Sequence, residues 1–355
     1  MKKIIITGAG SAQSNGVINS LLMGNGGEEI IGLGAMPEEL VMCNAHKKYL
    51  MPYAKEECYK EKLLSVLIKE KPDMIHFQHD FELSVAVRFR DEIEAIGVRM
   101  LVPDNETIDT CVHKYKSWLK FKAAGIVVPE NLVLKNKADL KYAFDHLGNE
   151  DGTIWLRSMS IGGGGKGSLP TSDLEEACDW IDRCHGWGDF VAAQLLTTQT
   201  VTWLSIWHAG SLVVGQTRRR KSWAHSSLSP SGITGVTKVG ETWHDESVDS
   251  VAISAVKAVS AVPHGIYGVD MTYDKNGIPN PTEINISRFF TTVQFFSEAG
   301  LNMPVILKDI VLYNKFPNLP RVNNPLPDGL LWLRGMDCAP MLTTEKRINE
   351  QLLIA

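Results

Sequence analysis

Two acids and an amide stand where a hairpin would bring them onto one face. In the stretch 265–292, GIYGVDMTYDKNGIPNPTEINISRFFTT, two β-type runs flank Asn276-Gly277, the dipeptide that most favours a two-residue type I′ turn. With that turn, Lys275 faces Ile278, Val269 faces Ile284 and Asp270 falls opposite Glu283, with Asn285 one pleat further on the same face. Pro279 and Pro281 then take non-hydrogen-bonded positions, where a proline removes nothing from the ladder and marks an edge strand. Carboxylates facing each other repel, so either one has a raised pKa or a cation lies between them. Oxygen ligands from Asp, Glu and Asn suit magnesium carrying a nucleotide phosphate. A solvated hairpin face whose acids point to water is the plainer alternative.

A second feature with chemistry is SMSIGGGGKG, where Gly162, Gly163, Gly164 and Gly165 precede Lys166 and Arg157 ends the strand before them. A P-loop would need glycine at Ser160, Ser or Thr at Gly167 and a helix opening at once, and none of these holds. The glycines instead read as a flap between extended segments, with amides free to close over phosphates and two cations to hold them. The run Arg218, Arg219, Arg220 and Lys221 reads as the start of a polar loop. It either holds an anionic substrate or phosphate, or is a solvated charge run.

The elements around these residues alternate. Strands at 2–7, 29–34, 73–78 and 98–102 are interleaved with helices at 17–23, 57–69 and 82–94, the pattern of a parallel sheet covered by helices. GAG after the first strand lacks the third glycine of a dinucleotide fingerprint, since Gln13 stands there, and the second strand ends without a ribose-binding acid, so it reads as a tight turn. Asp80, after the third strand, reads as a helix N-cap, with a substrate-facing role as the alternative. Beyond a boundary near residue 105 come a lysine-rich helix at 109–124 and strands at 132–134 and 153–157 around a helix at 137–147. A helix opening at the box Ser172-x-x-Glu175 follows, then strands at 190–196, 201–207 and 212–217, a helix at 246–262, the hairpin, a helix at 302–313 and a last strand at 330–333.

Bulk properties exclude several classes. The chain has 355 residues, 44% hydrophobic and 22% charged, with a net charge of −5 and a pI near 6.1, so no global basic field draws nucleic acid or an anionic membrane. Six cysteines without CxxC or finger spacing indicate reduced thiols in a cytoplasmic compartment. No apolar run has signal-peptide or membrane-spanning length.

Taken in order, HKYKSWLKFKAAGIVVP, WLRSMSIGGGGKG, AAQLLTTQTVTWLSI and GVDMTYDKNGIPNPTEINISRF resemble the ATP-grasp superfamily, and within it single-module relatives of the carbamoyl-phosphate synthetase large chain. The resemblance covers about residues 100–315. It implies a parallel-sheet pre-ATP-grasp domain at 1–104, a small lobe with the flap at 105–195, and a large lobe with the metal site and a C-terminal tail at 196–355. It also implies roles: Lys114 and Arg157 on the phosphates, residues 162–167 as the flap, and the backbone of Gln194, Leu195, Leu196 and Thr197 on the adenine edge. Asp270, Glu283 and Asn285 match the ligands of Mg²⁺ or Mn²⁺, and Arg288 the arginine that steadies the transferring phosphoryl group and the acyl phosphate. The acid that usually binds ribose is missing, with Gln199, Thr200 and Val201 in its place.

The expected reaction is ligation. ATP phosphorylates a substrate carboxylate, an amine attacks the acyl phosphate, and ADP and phosphate leave. The partners are then a small carboxylate and an amine, with Arg218 and Arg220 as candidate contacts to the anionic substrate, and a homodimer is compatible with this. The rivals are an NAD(P)-linked oxidoreductase using the N-terminal sheet and an ATP-binding module without catalysis.

Overall fold

The run Lys3–Ile6 puts three isoleucines inside a sheet covered on both faces, where β-branched side chains pack best. In the computed structural model, which describes residues 1–24, 26–159, 167–228, 231–232, 235–335 and 338–351, this run is β1. It pairs in parallel with β2 (Glu29–Gly34); β3 (Lys47–Leu50) continues beyond β2, and β4 (Met74–His76) lies on the other side, in the order β3-β2-β1-β4. β3 lies outside the sequence expectation because its residues KKYL are mostly exposed and carry no apolar run. The strand expected at 98–102 reduces to a single bridge from Arg99 to Met74. Gly10, at φ +102°, backs onto the main chain of Glu39, which lies 2.5 Å from where a Cβ would stand. That glycine is required by the helix Pro37–Met42 packed against it, which is the tight-turn reading of GAG.

A second, antiparallel sheet consists of β5 (Asn131–Leu134), β6 (Ile154–Ser158), β7 (Leu169–Thr171) and β8 (Phe190–Gln194), ordered β5-β8-β6-β7. The helices Lys137–Leu147 and Leu174–Arg183 pack on it around a core of its own that includes Leu140, Ile154, Ile181 and Phe190. The second helix is capped by Asp173, which accepts from the amides of Glu175 and Glu176, in place of the expected Ser172 box.

The third sheet is the largest: β9 (Thr200–His208), β10 (Ser211–Trp223), β11 (Thr237–Thr242), β12 (Gly265–Tyr273), β13 (Pro279–Ile286), β14 (Leu331–Leu333) and β15 (Met341–Thr343). Their order is β13-β12-β9-β10-β11-β14-β15, so β13 is an edge, as its prolines require. The expected α/β and α+β combination is therefore present. β10 runs straight through Arg218, Arg219, Arg220 and Lys221, where the sequence suggests a loop. Alternation accounts for it, because Arg219 and Lys221 go to Glu241 on one face while Arg218 and Arg220 turn to the other.

The hairpin register at the acids is the expected one, with Val269 opposite Ile284 and Asp270 opposite Glu283, but the route to it differs. The amide of Asp274 bonds to the carbonyl of Ile278 at 2.9 Å, so the loop is Lys275, Asn276 and Gly277, three residues rather than two. Asp274 organises it by accepting from the amides of Asn276 (2.8 Å) and Ile278 (2.9 Å). The shift this introduces is cancelled by a bulge at Thr282, between the Asp270–Glu283 and Met271–Pro281 pairs.

The lysine-rich helix expected at 109–124 is two helices, Asn105–Val112 and Lys114–Ala123, broken at an extended His113. The Ser117 hydroxyl donates to the carbonyl of Thr110, one of those freed by the break, at 2.9 Å. The break puts Lys114 at the first position of the second helix. One apolar cluster joins Ile5, Ile31 and Ile75 of the parallel sheet to Val269 and Ile284 of the hairpin. Among the described residues no helix is long and apolar enough to cross a membrane, and no disulfide forms.

Gly277 sits at φ +77° with nothing within 4 Å of the place a Cβ would take, so its role is purely conformational. Gly277→Ala is expected to cost about 1 kcal/mol in equilibrium unfolding and Gly277→Asn clearly less, since asparagine tolerates the left-handed region. Equal losses in the two variants would refute the turn assignment.

Candidate active site

The registers of four adjacent strands place one row of side chains across the large sheet. Glu283 of β13 faces Asp270 of β12, Asp270 faces Thr202 of β9, and Thr202 faces Arg218 of β10. Asp270 accepts from the Thr202 hydroxyl through Oδ1 and from Asn285 Nδ2, at 2.8 Å, through Oδ2. The Asn285 carbonyl oxygen in turn accepts from Arg288 Nη2. The three candidate metal ligands are thus on one face, with Asp270 and Asn285 in direct contact.

Three cations reach this face from three different elements. Lys114 Nζ lies 3.2 Å from Glu283 Oε2, and this pair offsets the unfavourable placement of a lysine at a helix N-terminus. Arg157, at the end of β6, donates to the carbonyl of Thr282, at the bulge, at 3.3 Å. Arg288, just after β13, forms an ion pair through Nε with Asp80. Lys114 above all holds the Glu283 carboxyl down to about 2 against the effect of burial, and Arg157 and Arg288 add to it. Burial alone would lower the Arg288 pKa, but Asp80 and Glu283 outweigh it and the net direction is up. For Arg157 burial prevails and its pKa falls.

Asp80 corrects the sequence reading. It is the first residue of the helix Asp80–Ala86, whose cap is His79 without a side-chain bond, and its carboxylate is spent on Arg288. The sequence places Asp80 at the carboxyl end of a parallel strand, and that position is its only signal. Thr202, which bridges Asp270 and Arg218, carries none.

Of the expected adenine-edge segment, the Gln194 amide bonds to the Glu130 carbonyl at 3.3 Å and the Thr197 amide to the Tyr273 carbonyl at 3.0 Å. Those two amides are taken, and only the backbones of Leu195 and Leu196 make no hydrogen bond to the described residues. Gly162, Gly163, Gly164, Gly165 and Lys166 lie outside the described residues. Arg218 and Arg220 lie on the acids' side of the sheet, bonded to Thr202 and to Thr200.

Among the described residues no three His, Cys, Asp or Glu gather as a metal cluster. The donor set for a cation is two carboxylates and one amide oxygen, all hard, and it fits a magnesium ion that shares its remaining positions with phosphate oxygens and water.

No protein-family model and no curated protein matches this chain. Solved structures do resemble it. Carboxyaminoimidazole ribonucleotide synthase from Aspergillus clavatus, crystallised with ATP, superposes with a TM-score of 0.70 at 13% identity, covering 94% of this chain and 81% of that one. Biotin carboxylase from Campylobacter jejuni, in complex with a β,γ-ATP ligand, gives 0.69 at 15% identity over 94% and 75%. L-amino acid ligase from Bacillus licheniformis gives 0.64 at 13% over 88% and 74%. At these identities the likeness is one of fold.

The Glu283 shift fixes a sign. A carboxyl depressed in the folded state contributes stability above its unfolded pKa, near 4.5, which is lost as pH falls toward the folded value of about 2. Without nucleotide, the melting temperature of wild type is expected to exceed that of Glu283→Gln at neutral pH, with the gap closing between pH 4.5 and 2. A gap that does not depend on pH would contradict the ion cluster.

Proposed function

We propose, from the ATP-grasp fold that this chain shares with these enzymes, that it is an ATP-dependent ligase that activates a carboxylate as an acyl phosphate and joins it to an amine. One observation carries the reading: Asp270, Glu283 and Asn285 stand together on one face of a hairpin where Lys114, Arg157 and Arg288 converge from three separate elements. A structural ion pair needs one cation, whereas phosphoryl transfer needs several around a pair of metal-binding acids.

In this reading 1–104, 105–195 and 196–355 are the pre-ATP-grasp domain, the small lobe and the large lobe. Asp270, Glu283 and the Asn285 carbonyl hold Mg²⁺ or Mn²⁺, which when bound offsets the charge of the β- and γ-phosphates. Lys114 leaves Glu283 for the phosphates and Arg157 approaches them from β6. The backbones of Leu195 and Leu196 meet the adenine. Arg288, held in place by Asp80 and Asn285, presents its fixed guanidinium where charge builds on the transferring group, and Arg218 and Arg220 face the anionic substrate. Side-chain nucleophiles are unnecessary, because the carboxylate and then the amine supply the electron pairs.

Two variants test this. Glu283→Ala is expected to lose tight MgATP binding in calorimetry, since the site loses a charged ligand and Lys114 its partner. Arg288→Ala is expected to keep nucleotide affinity and lose turnover roughly a hundredfold, read as carboxylate-dependent ADP release across a panel of carboxylates and amines. Wild-type affinity in Glu283→Ala would overturn the metal assignment. A lower melting temperature with undiminished turnover in Arg288→Ala would leave Arg288 a structural residue.

A further inference from the structure

At the end of the large sheet away from the acids, two open clefts meet at His208. One, of about 450 Å³, lies between the start of β10 and the segment after the helix Met303–Tyr313, with Leu212, Val213 and Phe316 on its walls. The other, of about 380 Å³, lies between that helix and the chain that follows the helix Arg90–Ala95, where Met100, Ile310 and Val311 surround Arg99, His208 and His264. Apolar walls with a few polar groups, at this size, are the usual make-up of a small-molecule site. The clefts are separate from the candidate active site. His208 stands six residues beyond Thr202 on β9, and Gly265, next to His264, five residues before Asp270 on β12, which is roughly 20 Å along the strands.

The histidines are held by main chain. The Ala209 amide donates to His264 Nδ1 at 3.2 Å and the Gly210 amide to the Pro263 carbonyl at 2.9 Å, so the turn after β9 is fastened to the residues before β12. An imidazole that accepts at Nδ1 is neutral and carries its proton on Nε2, so His264 offers an N–H donor there. Burial first, and His208 and Arg90 next, push its pKa below the usual value, in keeping with a neutral ring. The His208 ring centroid lies 5.2 Å from that of His264 and 5.2 Å, edge-on, from that of Phe316. Such a spacing of two histidines suits the ligands of one metal ion, but a metal needs the Nε2 lone pair, and the Ala209 contact puts a proton in its place. Among the described residues no third His, Cys, Asp or Glu completes a metal group either.

Fixed positive charge comes from two arginines. Arg99 Nη1 donates to the Leu312 carbonyl at 3.1 Å, and among the described residues Arg99 has no carboxylate partner. Arg90, whose charge is felt by His264, is likewise bonded to neutral oxygens, the Pro103 carbonyl at 2.5 Å and Asn105 Oδ1 at 3.4 Å, and its buried Nε has no acceptor. The acid on these walls is Glu94, which is exposed. Two arginines against one acid leave a single positive charge in excess before either histidine takes a proton. Donors without anionic partners, one surplus positive charge and apolar walls together match an anion that carries an apolar body.

We infer that this region binds a small carboxylate on an apolar or aromatic body, with the charge between Arg99 and the two histidines and the body along Ile310 and Val311, as a site distinct from the one proposed for the nucleotide. Benzoate, benzamide and acetate are the probes, titrated at constant ionic strength into the full chain carrying isotope-labelled histidine and read by nuclear magnetic resonance of the imidazole rings. The signals of His208 and His264 are assigned from His208→Gln and His264→Gln. Benzoate is expected to move both signals saturably, and to bind about tenfold tighter than benzamide, which has its shape without the charge, and than acetate, which has the charge without the body. It is expected to stay bound at saturating MgADP and in Arg220→Met, which alters the candidate anion contact near the acids. Arg99→Met, a change at an exposed side chain, is expected to weaken benzoate about tenfold. If that variant does not fold, His208→Gln, read at the His264 ring, decides in the same way. Unmoved histidine signals, equal affinity for benzamide or acetate, displacement of benzoate by MgADP, or wild-type affinity in Arg99→Met overturns the inference.

Discussion

Two carboxylates placed opposite each other on neighbouring strands set the problem that the surrounding structure solves. At Asp270 and Glu283 the antiparallel register brings like charges together on a half-buried face, and several neighbouring elements supply a donor or a positive charge. Thr202 and Asn285 donate to Asp270, Lys114 pairs with Glu283, and Arg157 and Arg288 add charge from further out. These partners come from the large sheet, the second sheet, the helix Lys114–Ala123 and the segment after β13. The middle of the hairpin is therefore where separate elements of the chain meet around one electrostatic demand.

The parallel N-terminal sheet takes part in this directly. Beyond β4, Gln78 clamps Phe289 through both its amide atoms, accepting from the Phe289 amide at 2.7 Å and donating to its carbonyl at 3.3 Å. Two residues on, Asp80 holds Arg288. The carboxyl end of the parallel sheet thus holds the segment that follows the hairpin, and the guanidinium that faces the acids is paired from a sheet it does not belong to. A shared apolar cluster running from Ile5 to Ile284 also joins the parallel sheet to the hairpin.

Much of this is legible in the sequence, and the exceptions have physical reasons. The alternating β-branched runs, the capped helices and the facing acids follow from local pattern, and so the parallel sheet, the helix Lys137–Leu147 and the Asp270–Glu283 pair are all readable. The sequence reaches the pair by a two-residue turn where the chain uses three residues and a bulge, and only the cancellation of one shift by the other keeps the register. Arg218 to Lys221 read as a loop because composition cannot show that a strand's two faces will separate four cations. The break at His113 leaves the Thr110 carbonyl to a side chain, the Ser117 hydroxyl, which local pattern does not show, and β3 and β11 owe their place to neighbours rather than to apolar runs. Asp80 could not be matched to Arg288 because the two are brought together only by the tertiary fold.

Everything proposed for this site depends on the facing acids taking a divalent cation together with a nucleotide. Manganese makes that visible: Mn²⁺ can be titrated into the protein with and without ADP while the free-ion signal is followed by electron paramagnetic resonance. The account predicts that the wild type removes Mn²⁺ from solution beyond what ADP alone removes. The double variant Asp270→Asn, Glu283→Gln, folded at neutral pH, should remove no more than ADP does. Equal uptake by the two proteins would contradict it.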